Sequence, residues 1–162
     1  MSVIGYAMGI DEAGRGPVLG PLVYGTVYCR SDYKNQVKEV FKVKDSKQLT
    51  AKARSKIFQD LEAATEDISY FVNIVSADEI SQKMLRRQKY SLNQISFDCA
   101  MSLIEQVMQD LAQRTVSDTS GNRHVLREVY VDTVGKPAKY QAMLEEKFPT
   151  IDDIQVAAKA DD

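Results

Sequence analysis

The chain has 162 residues and is 44% hydrophobic, the size and composition of one globular domain with a core of its own, so a second domain is not expected. Its 21 basic and 23 acidic residues give a formal net charge of −2, which excludes a cationic coat that binds any polyanion by bulk attraction; contact with nucleic acid has to be local. Cys29 and Cys99 offer neither a disulfide framework nor a zinc spacing, and the apolar stretch 3–10 is too short for a membrane span and lacks a basic segment before it, so a soluble, intracellular chain is expected.

In chain order, "VIGYAMGID" reads as a buried strand ending at Asp11, and "VLGPLVYGTVYC" as a second strand pairing beside it, with the glycine-rich piece between them as their connection. The apolar spacing over 50–64 predicts a helix with Thr50 as its N-cap. "ISYFVNIVS" is strand-like, and Ser76 caps the next helix. The longest helix follows in "SLNQISFDCAMSLIEQVMQDLAQR", where Leu92, Ile95, Ala100, Leu103, Ile104, Val107, Met108 and Leu111 recur at near-helical spacing. "TVSDTSGNR" is an exposed polar loop, and "VLREVYVD" is a strand ending at Asp132. Pro137 opens a helix running to about Phe148, and "DIQVAAKAD" is the final strand. Early strands in hairpin-like succession and later ones separated by helices predict an α/β fold with a mixed five-stranded sheet flanked by helices.

Three of these strands end in an acid, at Asp11, Asp132 and Asp161, although carboxylates are poor strand residues and costly near a core. Ligand crevices of open α/β sheets lie at the carboxyl ends of strands, so these acids, with Glu12 as a fourth, can converge on one site. Clustered carboxylates stay ionised when cations neutralise them, and hard oxygen ligands suit Mg2+ or Mn2+. Two such ions form the usual clamp for attack of water on a phosphodiester, a nuclease-like chemistry. Neighbours on a regular strand point to opposite faces, so bringing Asp11 and Glu12 together requires the strand to stop there, at a turn through Ala13, Gly14 and Gly16, with Arg15 as an added cationic donor. On these residues alone the stretch reads equally as a solvated loop, and Asp132 and Asp161 equally as helix or turn caps. His124, the one histidine, is read as a surface residue, the cysteines as buried apolar residues, and Tyr140 as helix packing. No glycine–lysine phosphate loop is present.

Five segments together, "GIDEAGRGPVLGPLVYG", "KDSKQL", "MLRRQKYSLNQISFD", "YVDTVGKPAKYQ" and "AAKAD", resemble the catalytic subunit of type 2 ribonuclease H, the ribonuclease HII family, in its eukaryotic form. The resemblance spans essentially the whole chain. It implies a ribonuclease H-like fold, a two-metal site using Mg2+ or Mn2+, and hydrolysis of the RNA strand of RNA·DNA hybrids or cutting 5′ of ribonucleotides embedded in duplex DNA. The family's metal-binding carboxylates fall on Asp11, Glu12, Asp132 and Asp161. Its glycine-arginine-glycine motif, which reads the ribose 2′-hydroxyl through its backbone, falls on Gly14, Arg15 and Gly16. Asp45, Ser46 and Lys47 match a motif lining the substrate groove. Between 34 and 56 eight basic residues face two acidic ones, a stretch that tracks a nucleic-acid backbone or forms a solvated surface, as do Lys83, Arg86, Arg87 and Lys89.

The resemblance further implies a nuclear protein with two accessory subunits as partners. Residues 1–162 are taken as the catalytic domain without the helix-rich region that follows the fourth carboxylate in relatives, and Asp162 departs from the small residue usual there. Uncovered apolar surface is then expected, and two readings stand side by side: an active endoribonuclease, or a hybrid-binding module or inactive fragment of that enzyme.

Overall fold

Thr50, Ser76 and Ser91 each accept a backbone N–H three residues on, from Ala53, Glu79 and Gln94, at 3.2 Å. Each satisfies a donor that a helix start leaves open. The helices they open are α2 (Ala51–Ala63), α3 (Ala77–Met84) and α4 (Leu92–Ser117). The computed structural model describes residues 1–15, 20–41, 48–64, 68–88, 90–132 and 136–157. The remaining elements are β1 (Val3–Ala13), β2 (Leu22–Arg30), α1 (Lys34–Phe41), β3 (Ile68–Val75), β4 (Arg123–Asp132), α5 (Pro137–Lys147) and β5 (Asp153–Ala157).

The five strands form one sheet in the order β3-β2-β1-β4-β5. β1 and β2, and β2 and β3, pair antiparallel, whereas β1, β4 and β5 run parallel with helices between them. This is the predicted mixed sheet, and the parallel set brings the carboxyl ends of β1, β4 and β5 to one edge, where an open α/β sheet holds its ligand.

Strand alternation divides the sheet into two unlike faces. Met8, Ile10, Tyr24, Tyr28, Val129 and Val131 lie on one face and are buried beneath α4, whose Ile95, Leu103, Ile104 and Val107 have no exposed surface. α5 and the turn after it add Tyr140, Leu144, Phe148 and Ile151 to the same core. The opposite face carries Gly9, Asp11, Gly25, Val27, Tyr70 and Val72 in register, and there Val27, Tyr70, Val72 and Ile74 are exposed. Phe58 and Leu61 of α2 reach toward it, beside the cavity they help to line. Among the described residues no helix is long and apolar enough to cross a membrane.

Several boundaries differ from the sequence reading. β1 does not stop at Asp11 but continues to Ala13, because its pairing with β2 is kept through Glu12↔Tyr24 and Ala13↔Val23. β2 begins at Leu22, after Gly20 at φ 129° and Pro21, neither of which suits a strand interior. α1, read only as part of a basic surface, is a helix of eight residues. α4 extends through Ser117 into the segment expected to be loop, and β4 starts at Arg123. His124 is therefore a strand residue, its side chain 12% exposed between the Tyr6 hydroxyl and the Asp118 carboxylate, each at 3.0 Å, and is not the surface residue expected. Cys29 and Cys99 are buried free thiols, as expected.

Candidate active site

Asp11 lies near the carboxyl end of β1 and Asp132 is the last residue of β4. Gly9 and Ile10 face Tyr130 and Val131 in parallel register, so the next alternation puts Asp11 and Asp132 side by side on the open face, where both line one cavity. The Asp11 carboxylate also accepts the backbone N–H of Glu12 at 2.7 Å.

Glu12, one residue on along a continuous strand, is directed to the other face beside Tyr24. It is half-buried, and its carboxyl is held above its ordinary range, first by burial and then by the neighbouring Asp11 charge, with Asp132 acting in the same sense and Arg15 against it. Its Oε2 is buried and accepts no hydrogen bond. A buried carboxylate oxygen without a donor costs free energy that a cation can offset. Glu12 thus senses both Asp11 and Asp132 although the strand directs its side chain to the other face. Among the described residues no three His, Cys, Asp or Glu side chains are grouped so as to hold a metal ion. Asp161, the fourth predicted ligand, lies outside the described residues.

The turn after β1 begins at Gly14, with φ +84°. A Cβ at that position would run into the backbone carbonyl of Pro21, so both the conformation and the close approach select glycine. Arg15 does not present a cationic donor to the open face. Its guanidinium spans to the first turns of α4, donating to Ser96 Oγ at 2.9 Å and Asn93 Oδ1 at 2.5 Å. The side chain ties the turn that follows β1 to the start of α4. Asn93 and Ser96 are not among the residues that sequence reasoning selects; the available signal is a serine, only 2% exposed, set within the apolar stripe of α4. Gly16, Asp45, Ser46 and Lys47 lie outside the described residues.

A family profile described as Ribonuclease HII matches residues 8–162. The chain belongs to the ribonuclease HII family. It is 42% identical over 154 residues to a ribonuclease H2 subunit of Rattus norvegicus, covering 95% of this chain and 46% of that protein. The chain thus spans about half the length of the curated relatives it matches. The solved ribonuclease H2 of Pyrococcus horikoshii matches with TM-score 0.65 and 28% identity over 96% of this chain and 64% of that one. Bst ribonuclease HIII in complex with Mn2+ matches with TM-score 0.72 over 98% of this chain and 47% of that one; at 19% identity it bears on the fold alone.

In this ribonuclease HII chain a second polar group flanks the acids on the open face. Lys34 Nζ donates to Glu128 at 2.7 Å and to the Tyr130 hydroxyl at 3.0 Å, and that hydroxyl donates to Glu128 at 2.8 Å. These bonds raise the Lys34 pKa, and they lower that of Glu128 against the opposing effect of its burial. Other members of the basic stretch are likewise engaged: Arg54 donates to the Leu49 carbonyl at 2.7 Å, and Lys56 pairs with Asp60 at 2.5 Å. Lys83 pairs with Glu79 at 2.8 Å, while Arg86 and Arg87 are exposed; Lys89 lies outside the described residues. Tyr140 is buried, with its ring 4.3 Å from that of Phe97, in keeping with a packing role.

Proposed function

We propose that residues 1–162 form the catalytic domain of a metal-dependent ribonuclease H that hydrolyses the RNA strand of RNA·DNA hybrids and cuts 5′ of ribonucleotides embedded in duplex DNA. The observation that carries this reading is the buried, unpartnered Oε2 of Glu12, in the field of Asp11 and Asp132 at the carboxyl ends of two parallel strands. The donor set is all carboxylate oxygen, the chemistry of Mg2+ or Mn2+ rather than of a softer metal. Asp11, Glu12 and Asp132, with Asp161 as the fourth ligand, would hold two such ions, which supply Lewis acidity for water activation and for the charge that develops on the phosphate.

The chain's own residues supply selection and position. Gly14, Arg15 and Gly16 read the ribose 2′-hydroxyl, a donor and acceptor that deoxyribose lacks, through backbone groups, so no base contact is needed. Arg15 holds that loop against α4 through Asn93 and Ser96. Asp45, Ser46 and Lys47 line the groove for the duplex. With a net charge of −2, affinity rests on local contacts rather than on bulk attraction. Two accessory subunits and a nuclear setting belong to the same reading.

The test is incubation of the purified chain, checked for folding by circular dichroism, with a labelled DNA duplex that contains one ribonucleotide, in Mg2+ and in chelator. Mg2+-dependent cutting on the 5′ side of the ribonucleotide, with an all-DNA duplex left intact, is the expected result. A folded chain that retains hybrid in salt-sensitive fashion but never cuts it would instead make this a binding module.

A further inference from the structure

Lys34 is the first residue of α1, an eight-residue helix whose first turn holds no acid. A cation there opposes the positive end of the helix dipole, and a helix this short is marginal without outside support. Packing supplies little of that support: none of the described side chains of α1 is buried, and Val40 is 62% exposed. A local rule broken in this way calls for a gain elsewhere. The gain lies on β4, where Lys34 Nζ donates to Glu128 at 2.7 Å and to the Tyr130 hydroxyl at 3.0 Å. That hydroxyl closes the ring of bonds by donating to Glu128 at 2.8 Å.

β4 is shaped to receive this contact. Tyr6 and Ala7 of β1 pair with Leu126 and Glu128, so Arg127 is an extra residue and the alternation of β4 resets there. Leu126, Val129 and Val131 are buried in the core, whereas Glu128, Tyr130 and Asp132 follow one another on the open face. Three groups share the contact and the Glu128 side chain is 23% exposed, unlike the solvated ion pairs that hold little in place. The backbone adds a second tie at the entry to α1, where the Ser31 N–H donates to the Gly5 carbonyl at 2.9 Å.

We infer that Lys34, Glu128 and Tyr130 are positioning residues, a clasp that fastens α1, from which the chain runs on to Asp45, Ser46 and Lys47, to the strand face that ends in Asp132. The inference rests on the ribonuclease reading, in which those three residues line the groove and Asp132 holds metal. A clasp between the elements that lead to them acts on substrate affinity more than on turnover.

Glu128→Gln separates this role from charge, because losing an acid strengthens attraction to a polyanion whereas losing the clasp weakens binding. In Glu128→Gln, KM for a single-ribonucleotide duplex is expected to rise at least ~5-fold with kcat within about 2-fold of the parent. Amide hydrogen exchange over 37–41 is expected to quicken at least ~5-fold while that of α4 is unchanged. Lys34→Arg should keep the parent values, Lys34→Met should match Glu128→Gln, and the double variant should add little to either. Tyr130→Phe, which alters no charge, decides should Glu128→Gln fail to fold by circular dichroism. The clasp is overturned if folded Glu128→Gln exchanges over α1 as slowly as the parent, or if its KM equals or falls below the parent value. A parent chain that neither binds nor cuts the duplex overturns the ribonuclease reading and the positioning role with it; exchange over α1, which needs no substrate, tells that failure from failure of the clasp.

Discussion

Glu12 is half-buried, with one carboxylate oxygen that accepts no hydrogen bond and a carboxyl held above its ordinary range first by burial and then by the Asp11 charge. A carboxyl with a folded pKa above its unfolded value binds its proton more tightly when folded, so its stabilising contribution is present at low pH and is lost as pH rises from the ordinary carboxylate range through the folded pKa. In chelator, Glu12→Gln should therefore melt above the parent at about pH 7, with the gap closing toward about pH 4; a constant gap across that range would place the effect elsewhere. Gly14 makes an independent demand on the backbone. Gly14→Ala adds both a left-handed strain and a collision with the Pro21 carbonyl, and should lower unfolding stability by about 1–3 kcal/mol in urea titrations. Both positions stand out in the sequence because acids at a strand end and a glycine-rich turn are unusual for a core strand. The same reading misjudges His124, since a polar segment hides the two-residue extension of β4 that places this side chain between Tyr6 and Asp118.

At the scale of elements, the site depends on where α4 sits relative to the turn after β1. Arg15 joins the two through Ser96 and Asn93, 81 and 78 residues away in sequence. Arg15→Ala should cost only ~1 kcal/mol of global stability while raising KM for a ribonucleotide-containing duplex by about 10-fold, because it frees the loop rather than opening the core. Asn93→Ala should act in the same direction and combine with Arg15→Ala less than additively. Equal and additive effects on KM would mean that the two residues do not work through one contact. Such a contact is invisible to local pattern, which registers periodicity along one element and not which elements meet. The helix caps at Thr50, Ser76 and Ser91 are legible because each is a local hydrogen bond. The run of β1 past Asp11 is not, because it is fixed by pairing with β2.

Among the described residues, one face of the sheet is closed by α4 and α5 while Val27, Tyr70, Val72 and Ile74 are exposed on the other, and the candidate site acids belong to both. Asp11 and Asp132 face the open side and Glu12 the closed one, so the parallel strand ends act as the meeting edge of two differently solvated regions. The mixed character of the sheet is legible in the sequence, from the close succession of β1 and β2 and the helices that separate β1, β4 and β5, whereas the antiparallel pairing of β2 with β3 across two intervening helices is fixed only by tertiary packing. The decisive measurement for the strand-end acids is Mg2+-dependent cleavage of a single-ribonucleotide duplex by the parent chain and by Asp132→Asn. The expected result is a loss of at least ~100-fold in turnover with an unchanged circular dichroism spectrum and melting temperature. Unchanged turnover in the folded variant would contradict it.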